Sequence, residues 1–216
     1  MYPLLGSFSL VTDSFGRANA ERKIDNVVFA DAKHTTPEPW DEPIISLTFD
    51  DSWISIYSEA IPILEEHQLK STQYVLTGFY NDPNYMDAEL IARLSQNGHQ
   101  IASHTVTHAQ LTEVGDEQLF DELAESKLDI RDRYGLTEDF AYPFGAYNSR
   151  VLTEAQKYYR SLRTVGELVN TEEEFNRLAL HSYTIQRETS IDDIREVLED
   201  AKQTNGWVIF NFHSFE

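Results

Sequence analysis

Five ionisable residues, far apart in the chain, are the ones whose types and spacing could do chemistry. Asp50 and Asp51 stand in "LTFDDSW", His104 and His108 in "SHTVTH", and His213 in "VIFNFH". Two adjacent carboxylates at the end of an apolar run repel each other, and neither belongs in a core unless a cation pairs with it. Two histidines four apart would share one face if helical. Two neutral imidazoles and one carboxylate are a common ligand set for a catalytic metal, with positions left open for water and substrate. One aspartate could then bind the ion while the other stays free to take a proton from water. Adjacent strand residues point to opposite faces, so both reach one site only if the backbone turns at the strand end. The competing reading has Asp50 capping a helix and Asp51 solvated. His213 suits the reverse task, giving a proton to a leaving group. His34, His67 and His99 read as core or surface residues, and nothing around His181, in "LALHSYTI", assigns it a role.

The elements that must position these groups alternate from residue 43 onward. Strand "PIISLTFD" leads to helix "SEAIPILEEHQ", strand "STQYVLTG" to helix "DAELIARLSQNG", and strand "HQIASH" to the long amphipathic "GDEQLFDELAESKLDIRDRYG". "DFAYPFG" is a short strand running into a turn. Helix "SRVLTEAQKYY", strand "YRSLRTV", strand "RLALHSYTI", helix "SIDDIREVLEDAKQTNG" and strand "WVIFNFH" complete the series. Ser190 suits an N-cap, and Gly98, Gly135 and Gly206 suit helix stops. Repeated βα units imply a parallel sheet, open or closed into a barrel. Ligand sites in such folds lie at the carboxyl ends of the strands. Asp50, Asp51, His104, His108 and His213 all fall on that rim.

Residues 1–38 have short β-like pieces without helical period, and "HTTPEP" resembles a linker. They are read as an N-terminal extension, a possible remnant of an upstream β-sandwich module, with residues 39–216 as the catalytic domain. The net charge is −20 and there is no cysteine. So acidic a surface argues against nucleic acid and anionic membranes as partners. Disulfide and thiolate chemistry are excluded. No apolar run is long enough to span a bilayer.

Taken together, "SLTFDDSW", "GHQIASHTVTH", "FAYPFGAYN" and "VIFNFH" resemble the polysaccharide deacetylases of carbohydrate esterase family four, the group that includes nodulation-type chitooligosaccharide deacetylases. The resemblance runs from Ile44 to His213. It implies an α/β fold, a distorted (β/α)7 barrel with parallel strands. It implies an extracellular or cell-surface hydrolase, with any signal peptide removed, and other modules of a larger secreted protein among its partners. The implied substrate is an acetylated polysaccharide or oligosaccharide: chitin oligosaccharide, peptidoglycan or poly-N-acetylglucosamine, with N-acetyl groups removed. By position, Asp50 corresponds to the catalytic base and His213 to the general acid. Asp51, His104 and His108 correspond to the ligands of a divalent metal, typically Zn2+, with Co2+ or Ni2+ as alternatives. The backbone N–H of Phe144 corresponds to the oxyanion donor, and Pro143, Tyr147 and Trp53 are candidate substrate contacts. Two departures stand out. Ala141 occupies the place of an arginine that usually steadies the base, for which Arg163 or Arg187 could substitute. The aspartate–tryptophan motif that tunes the acidic histidine has no clear match. An acetylxylan O-acetyl esterase would use the same residues. A catalytically weak carbohydrate-binding barrel would explain the missing arginine but not the retained rim residues. A zinc amidase acting on peptides is disfavoured by "YPFG".

Overall fold

A computed structural model describes residues 42–215; the extension expected over residues 1–38, and His34 with it, lies outside the described residues. Seven strands form one parallel sheet: β1 (Ile44–Phe49), β2 (Thr72–Val75), β3 (Gln100–Ser103), β4 (Asp139–Ala141), β5 (Ser161–Arg163), β6 (Tyr183–Thr184) and β7 (Trp207–Phe212). Their order is β5-β4-β3-β2-β1-β7-β6, curled as in the expected distorted (β/α)7 barrel. The helices are α1 (Ile61–Glu66), opened by a π-helical turn at Ile56–Ala60, then α2 (Ala88–Gln96), α3 (Asp116–Tyr134), α4 (Ser149–Ala155) and α5 (Ile191–Thr204).

The helices start where side chains can satisfy free backbone N–H groups. Asp87 accepts from Leu90 N–H at 2.8 Å, and Asn148 accepts from Val151 N–H at 3.0 Å. Ser190 and Asp193 form a reciprocal capping box on α5. Each such cap contributes about 1 kcal/mol. Strand alternation then sorts the side chains. Phe49, Val75 and Ile101 pack outward against Ile61, Leu64, Ile91 and Leu94. Phe140 and Leu162 face outward against Leu119, Leu123 and Val151. Val208 and Phe210 meet Ala201, Ile194 and Val197 of α5. The alternate residues Tyr74, Ala102 and Ala141 form a separate cluster on the inner face. The two alanines there leave room for polar groups at the rim.

The expected strand over 177–185 is shorter and bent. Leu180 N–H donates to Leu162 O at 2.9 Å and its carbonyl accepts from Thr164 N–H at 2.8 Å, whereas Tyr183 and Thr184 pair with Phe210 and Asn211 of β7. One short segment thus serves the two outermost partners, β5 and β7, and cannot stay straight while doing so. Asn170 staples it in place. Its carboxamide accepts from His181 N–H at 2.8 Å and donates to the carbonyls of His181 and Trp207 at 2.9 and 3.1 Å. Asn170 is buried, so its removal strands backbone groups away from water. Asn170→Ala is expected to lower the unfolding free energy by about 1–3 kcal/mol, measured by urea denaturation; an unchanged midpoint would show that this staple does not hold the closing segment.

Candidate active site

β1 ends at Phe49, and the chain then leaves extended geometry: Asp51 has φ 68° and Ser52 φ 65°. This turn answers the difficulty of two neighbouring carboxylates, because it lets both reach the same rim. Ser52 anchors it, its hydroxyl accepting from Leu76 N–H at 3.3 Å and its carbonyl from Met86 N–H at 2.7 Å. Asp51 then faces the histidines. His104 Nε2 and His108 Nε2 each lie 3.5 Å from Asp51 Oδ1. Trp53 Nε1 donates to the other oxygen, Oδ2, at 3.1 Å.

The histidine pair is not helical, so helical spacing is not what brings the two rings to one face. Residues 104–108 form an irregular loop in which Thr105 has φ 76° and His108 φ 59°. The rings converge nonetheless, with centroids 4.9 Å apart. His104 follows β3 directly, and its Nδ1 lies 2.8 Å from the Ala141 carbonyl. A carbonyl only accepts, so Nδ1 carries the proton and Nε2 presents its lone pair toward Asp51. Burial pushes the His104 imidazole below its ordinary value despite the raising influence of Asp50 and Asp51. It is therefore held neutral, as a metal ligand must be.

These features fit a cation. Asp51 Oδ1 is buried and has no hydrogen-bond partner, and it faces a bare imidazole nitrogen. Ligand atoms of Asp51, His104 and His108 all lie within 4.8 Å of one another. Lone pairs aimed at one another repel, and a divalent ion among them removes the conflict. One carboxylate and two imidazoles are a donor set suited to zinc.

Asp50 has a different environment. It is 2% exposed, and Arg163 Nη2 donates to its Oδ2 at 2.5 Å. His213 Nε2 lies 3.8 Å and His104 Nε2 3.9 Å from that same oxygen. Burial alone would push the Asp50 carboxyl up, but Arg163, His104 and His213 outweigh it and hold the carboxyl below the usual carboxylate range. Its second oxygen, Oδ1, is buried without a partner. Arg163 is itself positioned: Nη1 donates to the Ser182 hydroxyl at 3.0 Å, and the guanidinium lies over the Tyr74 ring at 4.9 Å. Asp50 therefore does have an arginine beside it, supplied by the end of β5 instead of the position of Ala141. Of the two arginines that could substitute, Arg163 and Arg187, the structure brings Arg163 to Asp50, whereas Arg187 is exposed.

The remaining candidates divide. Phe144 has φ 60°, its ring lies 4.5 Å from that of His108, and it is 61% exposed beside the triad. Gly145 follows at φ 65°, where a Cβ would come within 2.5 Å of the Val165 side chain, so the turn needs glycine. Tyr147 is exposed and stacks on Tyr142. Trp53 stacks on Tyr85 at 4.5 Å, with Phe79 against the same ring. Pro143 is buried, so its ring offers a substrate no open surface; it starts the turn that presents Phe144. His99 is a core residue whose Nδ1 accepts from Ser71 N–H at 3.2 Å. His181 belongs to the segment stapled by Asn170, and His67 caps the end of α1.

Comparison with known proteins agrees with this geometry. Residues 38–161, more than half of the chain, match the family described as polysaccharide deacetylase. A chitooligosaccharide deacetylase of Sinorhizobium fredii is 29% identical over 114 residues, 51% of this chain and 51% of that protein. The peptidoglycan-N-acetylmuramic acid deacetylase PdaA of Bacillus subtilis is 30% identical over 122 residues, 54% of this chain and 44% of that protein. The structure of Streptococcus pyogenes deacetylase PplD in complex with acetate has a TM-score of 0.66 and 28% identity, covering 70% of this chain and 69% of that one. The chain spans about half the length of these curated relatives, or less. From the family match over residues 38–161, the chain belongs to the polysaccharide deacetylases.

Proposed function

We propose that this protein is a metal-dependent hydrolase that removes acetyl groups from N-acetylglucosamine-containing polysaccharide outside the cell or at its surface. The observation that carries this reading is the pairing of an ion-ready triad, Asp51, His104 and His108, with a separate buried carboxylate, Asp50, held by Arg163. The names of its relatives, a chitooligosaccharide deacetylase and a peptidoglycan deacetylase, support the substrate class. Among the described residues, no helix is long and apolar enough to cross a membrane.

Zinc or a similar divalent ion, held by Asp51, His104 and His108, would polarise the acetyl carbonyl and acidify an attacking water. The protein's own groups do the rest. Asp50 offers Oδ1, which has no hydrogen-bond partner, to take the water's proton, while Arg163 fixes Oδ2. The hydroxide oxygen bonds to the acetyl carbon, and the Phe144 N–H donates to the oxygen that gains charge. His213, 42% exposed in its side chain, then protonates the nitrogen as the carbon–nitrogen bond breaks, leaving acetate and a free amine. Trp53 and the exposed Phe144 and Tyr147 rings offer flat surfaces for sugar faces on either side of the triad.

The test is acetate release from chitin oligosaccharides, peptidoglycan and acetylxylan, side by side, with and without a chelator. Release from the amino-sugar substrates, abolished by the chelator and restored by zinc or cobalt, is expected. Preferential release from acetylxylan would instead assign an O-acetyl esterase. Asp50→Asn is expected to keep zinc affinity while turnover falls by about 10²–10⁴-fold; near-wild-type turnover would remove Asp50 as the base. Arg163→Met leaves a buried carboxylate without its countercharge, and unfolding free energy is expected to drop by about 3–5 kcal/mol. Urea denaturation checks this, and wild-type stability would show that the ion pair is not what holds Asp50.

A further inference from the structure

The loop that presents His104 and His108 places two of its five residues in left-handed backbone without a glycine. Thr105 is β-branched and sits at φ 76°, and His108 sits at φ 59°. Such conformations persist only where surrounding contacts over-determine them. Some contacts come from the preceding βα loop, after β2: Thr77 N–H donates to Thr105 O at 3.2 Å, and Gly78 N–H donates to Val106 O at 2.9 Å. A Cβ at Gly78 would come within 2.6 Å of that carbonyl, so the approach requires glycine. Within the loop, the Thr105 hydroxyl accepts from His108 N–H at 3.0 Å.

The His104 N–H donates to Val75 O at 2.9 Å and the Thr105 N–H to the Ser103 hydroxyl at 3.3 Å. The two remaining N–H groups, of Val106 and Thr107, both go to one side chain. Glu122 Oε2 accepts from them at 2.8 and 2.9 Å, and the Thr107 hydroxyl donates to Glu122 Oε1. Glu122 lies on α3 and is 3% exposed, a carboxylate almost wholly withdrawn from water. Among the described residues it has no ion-pair partner; its charge is met by the loop's own backbone. Two successive N–H groups closing on one anion fix two peptide planes at once. The second of these planes ends at Thr107, the residue before His108.

We infer that Glu122 is the positioning residue for the histidine ligands: from α3 it clamps the 104–108 loop and so sets where His108 stands relative to His104 and Asp51. This rests on the reading of Asp51, His104 and His108 as metal ligands. It adds a residue that touches neither ion nor substrate and acts through the loop. A merely structural Glu122 would change the stability of the fold but not the affinity of the folded protein for metal.

The experiment is zinc binding by the full chain, followed by competition with a chromogenic chelator, with folding checked by circular dichroism. Glu122→Ala is expected to raise the zinc dissociation constant by about 10–100-fold. Glu122→Gln is expected to recover most of that loss, because its carboxamide oxygen can still accept both N–H groups while its NH2 faces a hydroxyl oxygen. Should the alanine variant not fold, Glu122→Asp decides: it keeps the charge but draws it back by one methylene, and zinc should again bind at least about tenfold more weakly. Folded alanine or aspartate variants that hold zinc within about twofold of wild type, whatever their melting temperature, overturn the clamp alone. A wild-type protein that binds no zinc overturns the ligand reading, and the clamp with it.

Discussion

Two carboxylates joined by one peptide bond can enter a buried site only if each is met by its own positive partner. That constraint shapes everything at the rim of this barrel. Asp50 is met by Arg163 from β5, at 2.5 Å and out of contact with water. Asp51 is met by two imidazoles and an opening suited to a cation. The left-handed turn at Asp51 and Ser52 separates the pair, so each acid meets its own set of partners.

The cost of this arrangement is visible in the backbone. Of the eight non-glycine residues with positive φ among those described, five line the site: Asp51, Ser52, Thr105, His108 and Phe144. Strain gathers at functional sites because ligands and donors must be aimed where regular strands cannot aim them. Each strained segment is held by neighbours with otherwise ordinary roles. Ser52 binds the loop after β2, Gly145 fits against Val165, and Glu122 holds the loop after β3.

Packing explains why the barrel tolerates so polar a mouth. Apolar side chains point outward to the helices, while Tyr74, Ala102 and Ala141 point inward. α3 carries Glu122, Ser126 and Lys127 among its buried residues, and each finds a partner: the histidine loop, Ser103, and the Thr137 carbonyl. A buried polar group without such a partner would cost more than the hydrogen bonds contribute. The helix thus combines apolar packing with polar anchoring of the neighbouring strand and loop.

By itself the sequence determined the alternating βα order, the parallel sheet and the Ser190 cap of α5, because periodicity, capping residues and glycine stops are local signals. It also identified Asp50, Asp51, His104, His108 and His213, because residues at the carboxyl ends of parallel strands must share a rim. It did not reveal that "HTVTH" is an irregular loop, since its spacing suits a helix equally well until Gly78 and Glu122 seize its backbone. It offered Arg163 and Arg187 as substitutes without deciding which meets Asp50, 113 residues from Arg163, and it did not reveal the bend that lets residues near Leu180 serve two strands. Those features depend on which inward-facing groups meet when the sheet curls. Pairings across the barrel leave no periodic trace in the chain, so only the tertiary structure decides them.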